Sequence, residues 1–283
     1  MHSPGPSGPP LVDSHAHLDS PDFAQDTDEI VARAVAAGLV SVVSIGFEPA
    51  GWAPTLQLAE RYAPVFPALG IHPNNADQTC DATLSELAAL CGQRQVVGLG
   101  ETGLDYYREY VPHARQRESF RAHLDLARQL DLPVIVHNRD AHADVLDILK
   151  RDGRGTRGVM HSFSGDVAYA QECLALGYMV SLAGPVTFKK AVDKHEVAAT
   201  VPLDMLLVET DCPYLTPEPF RGRRNEPSYV AYTAQAIARI RGVPFGAVAE
   251  ATTANAIRLF GLPLRVEQVA MGQPEQTAIE AQP

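Results

Sequence analysis

Pro133-Val134-Ile135-Val136-His137 is an unbroken apolar run that closes on a histidine. A strand with one face in water alternates apolar and polar residues, whereas a run apolar on both faces suits a parallel sheet covered on both sides. Similar Val-, Ile- and Leu-rich runs recur near 11–15, 40–45, 65–70, 96–100, 157–161, 178–182 and 206–210, which makes eight in all. Between them lie stretches of helical periodicity, among them 27–37, 84–91 and 112–130. In the last, Phe120, Leu124, Ala127 and Leu130 keep the spacing of one helix face. Eight strand–helix units in 283 residues predict an α/β fold, a (β/α)8 TIM barrel forming a single domain over 11–263. An open doubly wound sheet is the rival arrangement, but no Gly-x-Gly-x-x-Gly follows a strand.

Pro, Gly and Ser make up eight of the first ten residues, with neither a basic start nor an apolar middle. Residues 1–10 therefore read as a flexible leader and not a signal peptide. Residues 264–283, rich in Gln, Glu and Ala, read as a disordered tail. No apolar run approaches the roughly 18 residues of a membrane span, so no membrane partner is expected. Cys80, Cys91, Cys173 and Cys212 are too sparse for a disulfide scaffold, and a reducing, cytoplasmic setting suits them. The net charge of −11 argues against coating long duplex DNA, which needs a basic face. It leaves room for an enzyme that grips a few phosphates at a strand end.

In a TIM barrel the chemistry sits where the strands run out into the following loops. The first strand runs into His15 and His17, which point the same way because side chains alternate along a strand. The fourth runs into Glu101, the fifth into His137, the sixth into His161 and the eighth into Asp211. Six ligand-type residues on one rim are too many for one tetrahedral ion and suit two divalent metals about 3.5–4 Å apart. Glu101 is placed to bridge both through its two oxygens, with His15 and His17 on one metal and His137 and His161 on the other. Asp211 is read as a further ligand that accepts a proton from the attacking water. Hydrolysis is the reaction class this implies.

Several motifs carry a family resemblance. They are Asp13-Ser14-His15-Ala16-His17-Leu18-Asp19, Gly70-Ile71-His72-Pro73, Gly98-Leu99-Gly100-Glu101-Thr102-Gly103-Leu104-Asp105-Tyr106, Pro133 to His137 and His161-Ser162-Phe163-Ser164-Gly165. Glu209-Thr210-Asp211-Cys212-Pro213-Tyr214-Leu215, Arg221-Gly222-Arg223-Arg224-Asn225-Glu226-Pro227 and Asn255-Ala256-Ile257-Arg258-Leu259-Phe260 complete the set. In this order they resemble the TatD family of metal-dependent deoxyribonucleases. The resemblance implies a TIM barrel, divalent metals (Mg, Mn or Zn), the six residues above as their ligands, and phosphodiester hydrolysis from the 3′ end of single strands. One departure is visible: relatives often carry a second histidine soon after His-Pro, where this chain has Asn74.

The expected activity is therefore a two-metal 3′-5′ exonuclease on single-stranded DNA, and on RNA as an extension, serving DNA repair or nucleic-acid turnover. The alternative is a metal-dependent hydrolase of another ester or amide bond, such as aminoacyl-tRNA deacylation. The protein is expected to work as a monomer. Arg221, Arg223 and Arg224, the densest basic cluster, are assigned to substrate phosphates, and His72 and Asn138 to substrate contact. Of Tyr106 and Tyr107, one is expected to stack on a base and the other to pack against the next helix; Tyr106 takes the substrate role. Glu209, two residues before Asp211, is expected to lie deeper and orient a ligand. Trp52 is read as a hydrophobic anchor.

Overall fold

The computed structural model describes residues 8–264, apart from 93, 94 and 109. The leader through residue 7 and the tail beyond Leu264 lie outside the described residues. Eight parallel strands follow one another in chain order: β1 (Leu11–Ala16), β2 (Leu39–Gly46), β3 (Val65–Leu69), β4 (Gly98–Asp105), β5 (Val134–Arg139), β6 (Gly158–Met160), β7 (Tyr178–Leu182) and β8 (Leu206–Val208). The barrel closes at its upper rim. Asp211 N–H donates to His15 O at 2.9 Å and His17 N–H to Cys212 O at 2.9 Å, beside a parallel bridge between Ala16 and Cys212. Helices α1 (Thr27–Ala36), α2 (Pro49–Arg61), α3 (Asp81–Cys91), α4 (His113–Leu130), α5 (His142–Asp152), α6 (Val167–Ala175), α7 (Val192–Thr200) and α8 (Val230–Arg241) cover the outside. They bury stripes such as Phe120, Leu124 and Ala127 against Leu99, Val134 and Val136. The expected barrel is borne out.

Two features differ from the sequence reading. Strand β4 begins at Gly98 and runs on to Asp105, and β5 runs on to Arg139, so Glu101 and His137 lie within their strands and not at the ends. A further helix, α9 (Phe245–Phe260), follows the eighth unit. Its Ala256, Leu259 and Phe260, with Leu262, join Val12, Val43, Ala68, Ile135, Val159, Met179 and Leu207 in one apolar cluster inside the barrel. A barrel interior is a packed core and not a pore, and α9 supplies the floor of this one. Trp52 is buried in α2 and its Nε1–H donates to Gly70 O at 2.9 Å, which makes it the expected anchor.

Candidate metal centre

The floor fixes the direction of the rim. Ile135, Val159 and Leu207 point inward as part of the floor cluster. Residues two further along a strand share its face, so His137, His161 and Glu209 stand directly above them. On β4 plain alternation would turn Glu101 outward, because Leu99 packs in the outer layer. The pairing with β5 instead slips between Gly100 and Thr102, where Gly100 faces Ile135 and Thr102 faces Val136. Glu101 is the extra residue of this bulge, and a bulge re-aims a side chain. Glycines make room for it: Gly100 and Gly103 have φ of 144° and 137°, and a Cβ on Gly103 would lie 2.1 Å from His137 O.

The two oxygens of Glu101 face different histidine pairs. Oε1 lies 2.7 Å from His137 Nδ1 and 2.8 Å from His161 Nε2. Oε2 lies 3.4 Å from His15 Nε2 and 3.8 Å from His17 Nε2. Asp211 Oδ1 completes the second group at 3.6 Å from His15 Nε2 and 3.3 Å from His17 Nε2, and the two imidazole nitrogens are 3.3 Å apart. A tetrahedral ion with bonds of ~2.1 Å has ligand–ligand edges of ~3.4 Å, the scale of these separations. The structure thus brings all six sequence-predicted ligands together at one rim.

The electrostatics also suit cations. Burial would raise the Glu101 carboxyl, yet the surrounding imidazoles, led by His161, hold it well below the ordinary carboxylate range. Asp211 is likewise held low against burial by its hydrogen bond with His17. Burial should lower His161, His137 and His17, but the facing carboxylates raise all three, His161 most strongly. A buried pocket that still favours positive charge on three imidazoles is one that fits a divalent cation. Oxygen and imidazole donors without thiolate suit Mg, Mn or Zn.

A third group, overlooked in the sequence, adjoins the first two. His72, Asp105 and His137 bring ligand-type atoms within 4.8 Å of one another. Asp105 Oδ2 lies 3.2 Å from His137 Nε2, so the ring sits between two carboxylates, Glu101 on Nδ1 and Asp105 on Nε2. Asp105 is fixed in turn. Its Oδ1 accepts from Tyr107 and Arg108 N–H, and its backbone exchanges hydrogen bonds with the buried Gln116 of α4. Burial acts to raise its carboxyl, but His137 and these N–H donors hold it at about 2. Four residues past Glu101 on the same strand is the signal that could have found it. His72 accepts from Asn74 N–H through Nδ1 and leaves Nε2 3.5 Å from Glu101 Oε1; burial holds the ring neutral, at about 3. Glu209 stands in its expected place. Its Oε1 accepts from Ser162 N–H at 2.6 Å and lies 3.3 Å from His161 Nδ1.

Three residues assigned to substrate have polar groups engaged within the fold. Tyr106 stacks on His113 at 3.6 Å, donates to Asp144 Oδ2 at 2.5 Å and accepts from Arg117 Nη1 at 3.0 Å, so its ring and hydroxyl are taken up by packing. Arg224 forms a bidentate pair with Asp26 of the loop before α1 and donates to Asp22 O, which binds the β8 loop to that of β1. Asn138 donates to Tyr169 OH at 2.7 Å on the outer side of β5. Arg221 and Arg223 lie against Phe188 and Phe220, with no acidic partner among the described residues.

Residues 12–261 match the profile of the family described as TatD related DNase. The chain belongs to this family. It is 42% identical over 251 residues to the uncharacterized metal-dependent hydrolase YabD of Bacillus subtilis, covering 88% of this chain and 98% of that protein. It is 35% identical to the 3′-5′ ssDNA/RNA exonuclease TatD of Citrobacter koseri over 259 residues, 89% of this chain and 99% of the relative. The crystal structure of the TatD homologue YjjV from Escherichia coli K12 superposes with a TM-score of 0.85 at 34% identity, over 89% of this chain and 98% of that one. The protein is thus a metal-dependent hydrolase of the TatD family. Among the described residues no helix is long and apolar enough to cross a membrane.

Proposed function

We propose that this TatD-family member is a two-metal nuclease that hydrolyses phosphodiester bonds of single-stranded nucleic acid from the 3′ end. The observation that carries the reading is the division of Glu101, with one oxygen toward His137 and His161 and the other toward His15 and His17. The exonuclease name of the Citrobacter koseri relative supports the substrate class. Two divalent cations held by these residues would supply the Lewis acidity that polarises the phosphodiester and acidifies an attacking water.

The chain's own groups do the rest. Asp211, kept ionised, presents Oδ1 as acceptor for the proton of the attacking water. Glu209 steadies the His161 ring from behind, and Asp105 fixes His137 so that Nδ1 faces Glu101. His72, neutral, offers Nε2–H toward the same carboxylate and toward whatever oxygen the substrate brings there.

The test is a metal series on the chelator-stripped protein with 5′-labelled single-stranded DNA, plus RNA and duplex controls. The expected product is a ladder of shortening labelled strands that requires added Mg, Mn or Zn, with Asp211→Asn slower by about 10²–10⁴-fold. Full cleavage without metal, or by the Asp211→Asn variant, would overturn the reading.

A further inference from the structure

The large apolar side chains exposed among the described residues are Val35, Tyr107, Tyr110, Val192, Tyr214 and Val243. The aromatic ones all stand in the loops that follow β4 and β8, strands on opposite sides of the barrel. Both of these loops belong to the rim that carries the metal centre. An exposed aromatic ring on that rim offers a π-face on which a nucleic-acid base can stack.

Two of the tyrosines are tied to the centre by backbone hydrogen bonds. Tyr107 N–H donates to Asp105 Oδ1 at 3.0 Å, and Tyr214 N–H donates to Asp211 O at 2.9 Å. Tyr107 is 58% exposed and Tyr214 59%, so packing takes up neither ring. Arg139 pairs in register with Asp105, two residues beyond His137, and its guanidinium lies 4.0 Å from the centre of the Tyr107 ring. That arginine has no acidic partner among the described residues, which leaves its charge available to a phosphate. On the other wall the Tyr214 and His17 rings stand edge to face, their centres 6.2 Å apart.

We propose that Tyr107, backed by Arg139, and Tyr214 are two base-stacking platforms on opposite sides of the metal centre, which seat the unpaired nucleotides flanking the scissile phosphate. The inference rests on the nuclease reading above and adds the source of its single-strand preference. A nucleotide in a duplex is already stacked and paired and cannot turn its face to either wall without being unstacked. A free strand end can. Because every base has a π-face, the platforms select single strands without selecting sequence.

Stacking on one aromatic ring changes affinity by roughly 5- to 160-fold per base. Tyr107→Ala and Tyr214→Ala should therefore each raise KM for a single-stranded oligomer by about tenfold or more, and Tyr107→Trp and Tyr214→Trp should restore it. The decisive arm uses oligomers with an abasic residue at the 3′-terminal or the penultimate position. Each abasic oligomer should cost the wild type what one alanine variant costs on the intact oligomer, and that variant should show no further loss on it. Alanine variants with wild-type KM, or variants whose deficit is the same on intact and abasic oligomers, would overturn the platforms alone. A wild type that cleaves no oligomer would overturn the nuclease reading, and the platforms with it.

Discussion

Ile135 and His137 are neighbours on the inner face of β5, as are Val159 of β6 and His161 just beyond it, and Leu207 of β8 and Glu209 just beyond it. One pleat separates the members of each pair, yet they belong to different worlds. The lower layer is closed by Phe260 and its neighbours on α9 and is built mainly of apolar side chains. The upper layer holds five histidines and four carboxylates, six of the nine buried and His72, His137 and Asp211 half-buried. Buried charge costs stability unless it is paired, and the rim still carries unpartnered atoms, the Nδ1 of His15 and of His17 and Oε2 of Glu209. Stability is concentrated in the floor, and the rim trades some of it for a site that draws cations. The floor also aims the rim, because Ile135, Val159 and Leu207 set the direction of His137, His161 and Glu209 two positions later.

If the layers divide the work this way, damage to each should show in different measurements. Phe260→Ala removes the plug of the floor and should cost about 3–5 kcal/mol in denaturant unfolding, while cleavage per folded molecule stays at the wild-type level. Loss of activity without loss of stability would break the division.

His123 probes the packing outside both layers. It is buried in α4, accepts from Ile71 N–H through Nε2 and uses Nδ1 on Ser119 O, and burial lowers it from 6.5 to about 4. The unfolded chain takes up this proton first, so the contribution is complete above pH 6.5 and is lost as the pH falls toward 4. The loss is on the order of 3 kcal/mol. Urea unfolding of metal-stripped protein between pH 4 and 8 should show that slope in the wild type and a flatter one in His123→Gln. Equal slopes would mean that the ring is already charged in the fold.

The smallest effect expected is at Asp105. Asp105→Asn keeps an acceptor for Tyr107 and Arg108 but loses the charge behind His137, and should weaken Mn affinity by roughly 10- to 100-fold in calorimetric titration. An unchanged affinity would show that His137 needs no such support.

Much of both layers was legible in the sequence. Strands buried on both faces read as continuous apolar runs, and the barrel topology forces their ends to one rim, so the six ligands could be gathered from strand ends alone. The route by which Glu101 reaches the interior was less visible, since it depends on a bulge whose only trace is the glycine spacing at 98, 100 and 103. The fates of Tyr106 and Arg224 could not be read locally. Tyr106 is claimed by residues on α4 and α5, and Arg224 by Asp26, 198 positions earlier, partners that only the folded loops bring near. Tyr107 meets Arg139 of β5 on one side and leaves the rest of its ring to the solvent.

Anomalous scattering from crystals soaked in Mn tests most directly whether the Glu101 carboxylate divides the rim between two cations. Two peaks flanking the Glu101 carboxylate are expected, one beside His15 and His17 and one beside His137 and His161. A single peak, or peaks that leave Glu101 on one side, would contradict the account.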